Sequence, residues 1–214
     1  MGESKDKPKK ILIVGGGTAG WMAAHLLKKC WADISVELIE SADIGIIGVG
    51  EGSTPQLKAF FEYIGIKESE WMPACDASYK NGILFEDWST VSGAKSYFHP
   101  FFANVDSVTM PVFFDSTLHR RMGYAVNANP GDFFLNGQLA NQNLSPISQV
   151  SSPVTPSYGY HFDSKKLGHF LSAKAEQFGI QHTVGTIMGS ELNDSGEISC
   201  VLLTDGRKLC ADFF

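Results

Sequence analysis

Residues 10–20 read Lys-Ile-Leu-Ile-Val-Gly-Gly-Gly-Thr-Ala-Gly, and this stretch decides the fold. Ile11-Leu12-Ile13-Val14 is a short continuous apolar run, the pattern of a strand buried on both faces in a parallel sheet. It empties into Gly15-Gly16-Gly17-Thr18-Ala19-Gly20, a GxGxxG that opens a helix predicted over about Ala19 to Trp31. That helix carries Met22, Ala23, Leu26 and Leu27 on an apolar stripe and Lys28 and Lys29 near its C-terminal end, where cations suit the dipole. A second strand, Ile34 to Glu40, completes a βαβ unit with a right-handed crossover.

A lone GxGxxG is a weak signal, but here Glu40 stands 20 residues beyond Gly20, at the end of the second strand. This is the context of a dinucleotide-binding fingerprint. Gly15 allows the tight turn, Gly17 lets a pyrophosphate approach the backbone, and Gly20 lets the helix pack on the strand. Thr18 and Ala19 lie at the helix N-terminus, whose N–H groups and partial positive charge suit phosphate. Glu40, with Ser41 beside it, accepts from a ribose diol and disfavours a 2′-phosphate, which argues against NADP. The motif leaves FAD and NAD both open.

Working outward, residues 1–9 are charged and aperiodic and are expected to form a mobile tail. Ser41 to Thr54 holds four glycines, Gly45, Gly48, Gly50 and Gly52, and reads as a loop held close to something. A helix follows over about Pro55 to Ile64, with proline in its first turn. Residues 72–156 are irregular and rich in aromatics, Asn, Ser and Pro. One strand (Ile83 to Trp88), one short helix (Phe114 to Met122) and long loops are expected there. Regular pattern returns with a strand at Tyr158 to Phe162 and a helix capped by Asp163 and stopped by Gly179. Ile180 to Val184, Thr186 to Leu192, Ile198 to Thr204 and Lys208 to Phe214 read as strands, the last three an antiparallel meander. The end at Phe214 reads as an interruption within an apolar strand.

The net charge of −6 and the absence of a basic, aromatic-laced stretch argue against nucleic acid. No apolar run approaches the roughly 20 residues of a membrane span, so the expected address is the cytoplasm. Cys30, Cys75, Cys200 and Cys210 lack CxxC spacing and the six histidines lack a ligand pattern. Reduced thiols and no metal are expected, with Cys30 and Cys200 as buried small residues. A homodimer is left open.

Three segments resemble the flavin-dependent halogenases of the tryptophan-halogenase family. They are GGGTAGWMAA (15–24), GVGEGSTP (48–55), similar to the GVGEATxP of that family's flavin strap, and EWMPACDASYKNGILFEDW (70–88), where the family places its active-site lysine. YHFD (160–163) and DGRKLCADFF (205–214) are similar to later segments. The chain departs at Gly52 and Ser53, a small-for-small change. The family's WxWxIP motif and the glutamate that works beside the lysine belong further along than Phe214.

The resemblance implies a Rossmann-like α/β FAD-binding domain of the flavin monooxygenase type, over 10–71 and 157–214. It carries an inserted irregular substrate-domain segment (72–156) and an antiparallel meander. It also implies FAD used as FADH2 from a separate flavin reductase, with O2 and halide forming hypohalous acid, and a small electron-rich aromatic substrate such as tryptophan. Lys80 becomes the catalytic candidate, because an ammonium can polarise hypohalous acid and a neutral amine can carry the halogen. Gly48, Val49, Gly50 and Glu51 become the flavin strap, and Ile187 an adenine contact through its backbone. The readings weighed against these are a solvated Lys80, a structural Glu51, a satisfied core or interface His161, and packing roles for Phe98, Phe101, Phe102, Phe113, Phe114, Phe133 and Phe134. An FAD-dependent monooxygenase and a non-catalytic FAD-binding fragment stand as alternatives.

Overall fold

The computed structural model describes residues 9–45, 48–91 and 95–214. The strands are β1 (Lys10–Val14), β2 (Ser35–Glu40), β3 (Gly50–Gly52), β4 (Ser78–Lys80), β5 (Gly82–Phe85), β6 (Tyr97–Pro100), β7 (Gly159–Asp163), β8 (Ile180–Val184), β9 (Ile187–Leu192), β10 (Ile198–Leu203) and β11 (Lys208–Cys210). The helices are α1 (Thr18–Cys30), α2 (Gln56–Ile64), α3 (Glu68–Ala74), α4 (Met110–Arg121), α5 (Pro130–Phe133), α6 (Leu135–Asn141) and α7 (Ser164–Lys174). Internal contacts divide the chain into two compact units, the first ending at Glu51 and resuming over Glu62–Asp76 and Phe162–Phe214, the second made of Gly52–Phe61 and Ala77–His161.

In the first unit β1, β2 and β8 form a parallel sheet in the order β1-β2-β8. The central strand buries Val36, Glu37, Leu38 and Ile39 in succession, which accounts for the lack of alternation in its sequence. Glu37 is tolerated there because Lys10 Nζ lies 2.8 Å away and Thr183 Oγ1 donates to it at 2.6 Å. α1 buries Trp21, Ala24 and His25, and its His25 Nε2 bonds the Leu171 carbonyl of α7 at 2.9 Å. α7 begins as expected, with Asp163 Oδ1 accepting the Lys166 N–H, and a final 3-10 turn ends at Gly179 in the left-handed region (φ 70°).

β9, β10 and β11 form the antiparallel meander. Its Val201 and Leu203 pack with Leu12 and Ile39 of the parallel sheet into one buried cluster. The expected strand to Phe214 stops at Cys210, since the chain then turns to β1, where Leu12 N–H donates to Phe213 O and Asp212 N–H to Lys10 O. The Asp212 carboxylate also takes the N–H groups of Lys9 and Lys10, so Lys9 is anchored and not part of a mobile tail; residues 1–8 lie outside the described residues. A second correction concerns thiols. Cys200 and Cys210 sit opposite each other in the β10–β11 register and are joined as a disulfide, while Cys30 is exposed rather than buried.

The second unit holds more order than its sequence suggested. β5 and β6 pair antiparallel from Gly82↔Pro100 to Phe85↔Tyr97. Buried Asp106 accepts the N–H groups of Ala103 and Leu135, and buried Asn136 donates to the carbonyls of Phe101 and Ser157, all at 2.6–2.8 Å. These two side chains satisfy backbone groups that an irregular segment cannot pair within itself. Phe113 contacts Phe133 and Phe134 edge-on, consistent with packing roles for these rings. β7 pairs with β4 in the register Ser78↔His161, Tyr79↔Tyr160, Lys80↔Gly159, within a sheet ordered β3-β7-β4.

Candidate functional site

At the C-terminal end of the parallel strands the first unit opens a cavity of about 400 Å³. Gly15, Gly16 and Gly17, then Glu40 and Ser41, and finally Ile187 all line it. Each glycine has its own geometric reason. Gly15 turns at φ 115°, a region L side chains rarely adopt. A Cβ at Gly20 would lie 2.0 Å from the Gly15 carbonyl oxygen, so the helix reaches the turn only without a side chain there. A Cβ at Gly16 would fall on the Glu40 carboxylate, whereas at Gly17 it would meet nothing within 4 Å and would project into open space. Gly17 caps α1 without a side-chain bond and no acid occupies the first turn, so no side chain of the helix itself competes for its leading N–H groups. The Thr18 hydroxyl is engaged elsewhere, donating to Ser164 O at 2.8 Å.

Glu40 and Ser41 are held by partners that the sequence did not reveal. Glu40 Oε1 lies 2.8 Å from His182 Nε2 of β8, whose ring meets Trp21 edge-on. Ser41 Oγ bonds Thr186 Oγ1 at 2.8 Å. Both contacts follow from the pairing of β2 with β8, which brings the 180s beside the 40s. The glycine-rich segment is also pinned: Ser164 donates its hydroxyl to Val49 O at 2.9 Å, and a Cβ at Gly48 would lie 1.9 Å from that hydroxyl oxygen. Val49, Gly50 and Glu51 are exposed.

A dinucleotide fits this cradle. The cavity has open backbone at Gly17, helical N–H groups beside it that no side chain caps, and the Glu40 carboxylate and Ser41 hydroxyl in its lining. NADP fits poorly, because a 2′-phosphate would meet the Glu40 carboxylate.

Lys80 belongs to the second unit. Its Nζ lies 5.9 Å from the centroid of the buried Phe101 ring. Burial holds the amine below the ordinary lysine value, and among the described residues no acid's charge opposes that shift. A Cβ at Gly52 would lie 2.9 Å from Lys80 Nζ and 3.4 Å from His161 Cδ2, so both side chains converge on that glycine. His161 is held below its ordinary value first by burial and then by the positive charge of Lys80. It is exposed, not a core histidine. Phe101, read from sequence as packing, is the aromatic neighbour of the lysine, and nothing in the local sequence signals that.

Among the described residues no three or more His, Cys, Asp or Glu side chains gather as a metal site, and no helix is long and apolar enough to cross a membrane.

Parallel sheet, glycine turn and acid-ended second strand define a dinucleotide-binding α/β protein. Residues 10–214 match the tryptophan halogenase family, and the chain belongs to it. It is 34% identical to tryptophan 6-halogenase SttH of Streptomyces toxytricini, over 97% of this chain and 43% of that protein. It is 35% identical to tryptophan 7-halogenase RebH of Lentzea aerocolonigenes, over 97% of this chain and 42% of that one. Among solved structures it resembles Xcc4156, a flavin-dependent halogenase from Xanthomonas campestris, with a TM-score of 0.79 at 33% identity, covering 96% of this chain and 41% of that one. The chain thus spans less than half the length of these relatives.

Proposed function

We propose that this chain supplies the cofactor-binding and lysine-bearing part of a flavin-dependent halogenase acting on tryptophan or another electron-rich aromatic. The observation that carries the reading is the pair of settings within one family-matched chain: a dinucleotide cradle lined by Gly15–Gly17, Glu40 and Ser41, and a desolvated lysine against an aromatic ring. Bound as FADH2 delivered by a separate reductase, the flavin would reduce O2 in the presence of halide, yielding hypohalous acid and water. Gly17 and the start of α1 would take the pyrophosphate, Glu40 and Ser41 the ribose, the Ile187 backbone the adenine, and Gly48 to Glu51 would form the strap.

Lys80 acts after that step. Its ammonium donates a hydrogen bond to the oxygen of hypohalous acid, drawing electrons from the halogen. The ring carbon bonds the halogen as the halogen–oxygen bond breaks, the oxygen takes the ammonium proton and leaves as water, and the neutral amine so formed takes up the proton that the ring loses. Partial burial lowers the lysine below its ordinary value, which makes its ammonium the readier proton donor. The expected address is the cytoplasm, where reduced flavin is supplied.

The test is turnover by the full-length gene product with FAD, a flavin reductase, O2 and an indole panel, in chloride or bromide. Products heavier by one halogen, and their loss without halide, are expected. Halide-independent hydroxylation would move the assignment to an aromatic monooxygenase.

A further inference from the structure

Lys80 lies directly opposite Gly159 in the β4–β7 register, so the two positions share one face of the sheet. Gly159 puts no side chain on that face; a Cβ there would meet Ser53 O at 2.5 Å and Phe101 Cε2 at 3.2 Å. Two residues along β7, His161 faces the same way and is paired with Ser78. With no side chain at Gly159 on that face, the Lys80 amine comes to rest over Gly52 of β3, the far strand of the sheet. The ring of Phe101 flanks Gly159 and His161 flanks the end point.

From this geometry we infer that Gly52 is a specificity-determining position: its missing side chain sets where the Lys80 amine stops, and hence which ring carbon of the substrate receives the halogen. The inference rests on the halogenase reading and deepens it. A methyl group at position 52 cannot coexist with the amine at 2.9 Å, and the far end of a flexible lysine moves more readily than a strand. Gly52 lies outside the left-handed region, so alanine is compatible with its backbone. The displacement should therefore be passed to Lys80 rather than to the fold.

The experiment compares full-length wild type, Gly52→Ala and, as a control, Gly189→Ala in β9, whose Cβ would meet nothing within 4 Å. Thermal unfolding first establishes that Gly52→Ala is folded. Brief acetylation with acetic anhydride, read by peptide mass spectrometry, then gives the reactivity of Lys80 relative to Lys174. Gly52→Ala is expected to change that ratio by about twofold or more, with Gly189→Ala leaving it in place. Turnover of indole and tryptophan gives the regioisomer ratio and the halogenated product formed per O2 consumed, quantities that normalise for any loss of flavin. Gly52→Ala is expected to shift one or both by about three- to tenfold, in keeping with the cost of small misplacements in catalysis. Unchanged Lys80 acetylation overturns the proposed placement of the amine, and altered acetylation with unchanged products overturns its role in specificity. If wild type halogenates nothing, the role in specificity falls with the activity, whereas the acetylation comparison still judges the Gly52–Lys80 arrangement by itself.

Discussion

The cradle of the first unit and the lysine setting of the second are assembled over very different lengths of chain. The cradle is lined mainly by residues 14–17, 39–41 and 44–45, with a short supplement from 185–187. The lysine setting draws on Gly52, Lys80, Phe101, Gly159 and His161, which meet only through sheet pairing and burial. A site written largely in one βαβ unit is encoded within that unit, Gly20 answering to Gly15 and Gly16 to Glu40. A site gathered from distant strands depends on register, and small side-chain changes at its rim can retune it. Cofactor binding should therefore respond to the first region and product chemistry to the second.

Gly20→Val should produce the largest effect, because its side chain would collide with the Gly15 backbone and not with a flexible group. Overpacking of that kind costs about 3 kcal/mol. Loss of both FAD binding and the cooperative melt of the first unit is expected; a stable variant with normal flavin affinity would show that the turn is not packed this way. Gly17→Val is the sharper probe, since its Cβ faces open space in the cavity wall. The fold should persist while FAD affinity, read by flavin fluorescence, falls about 100-fold, a loss of roughly 2.7 kcal/mol. Undiminished binding would remove the pyrophosphate from this turn.

A smaller effect is expected on the acid side. His25 is buried between α1 and α7 and held below its ordinary value by desolvation, the bond to Leu171 O opposing only in part. The unfolded chain then binds a proton that the folded chain refuses, so stability is intact above about pH 6.5 and declines as pH falls toward the depressed folded value. The slope from this one group is at most about 1.4 kcal/mol per pH unit. In His25→Gln the melting temperature should be less sensitive to pH between about 6.5 and 5. Identical slopes would show that His25 does not carry the effect.

Much of the first unit was legible in the sequence because its signals are local. The apolar run at 11–14, the glycine turn, the Asp163 cap and the Gly179 stop each act within a few residues. What escaped was set by pairing between distant segments. The β2–β8 contact brings His182 to Glu40, and the β10–β11 register joins Cys200 to Cys210. The return of the chain to β1 anchors Lys9 through Asp212. In the second unit, Asp106 and Asn136 organise the irregular stretch through backbone bonds that leave no periodic trace. Lys80 itself was singled out by the resemblance of its flanking residues to a family pattern; by position alone it was one lysine among many.

The division of labour between the two regions is tested most directly by Lys80→Ala in the full-length enzyme, measuring oxygen uptake and halogenated product side by side. On the proposed mechanism the lysine acts after hypohalous acid has formed, so FAD binding and oxygen uptake with reduced flavin should continue while product falls by about 100-fold or more. Lys80→Arg should fare little better, since a guanidinium holds its protons too tightly to give one to the departing oxygen. Normal halogenation by Lys80→Ala would contradict the account.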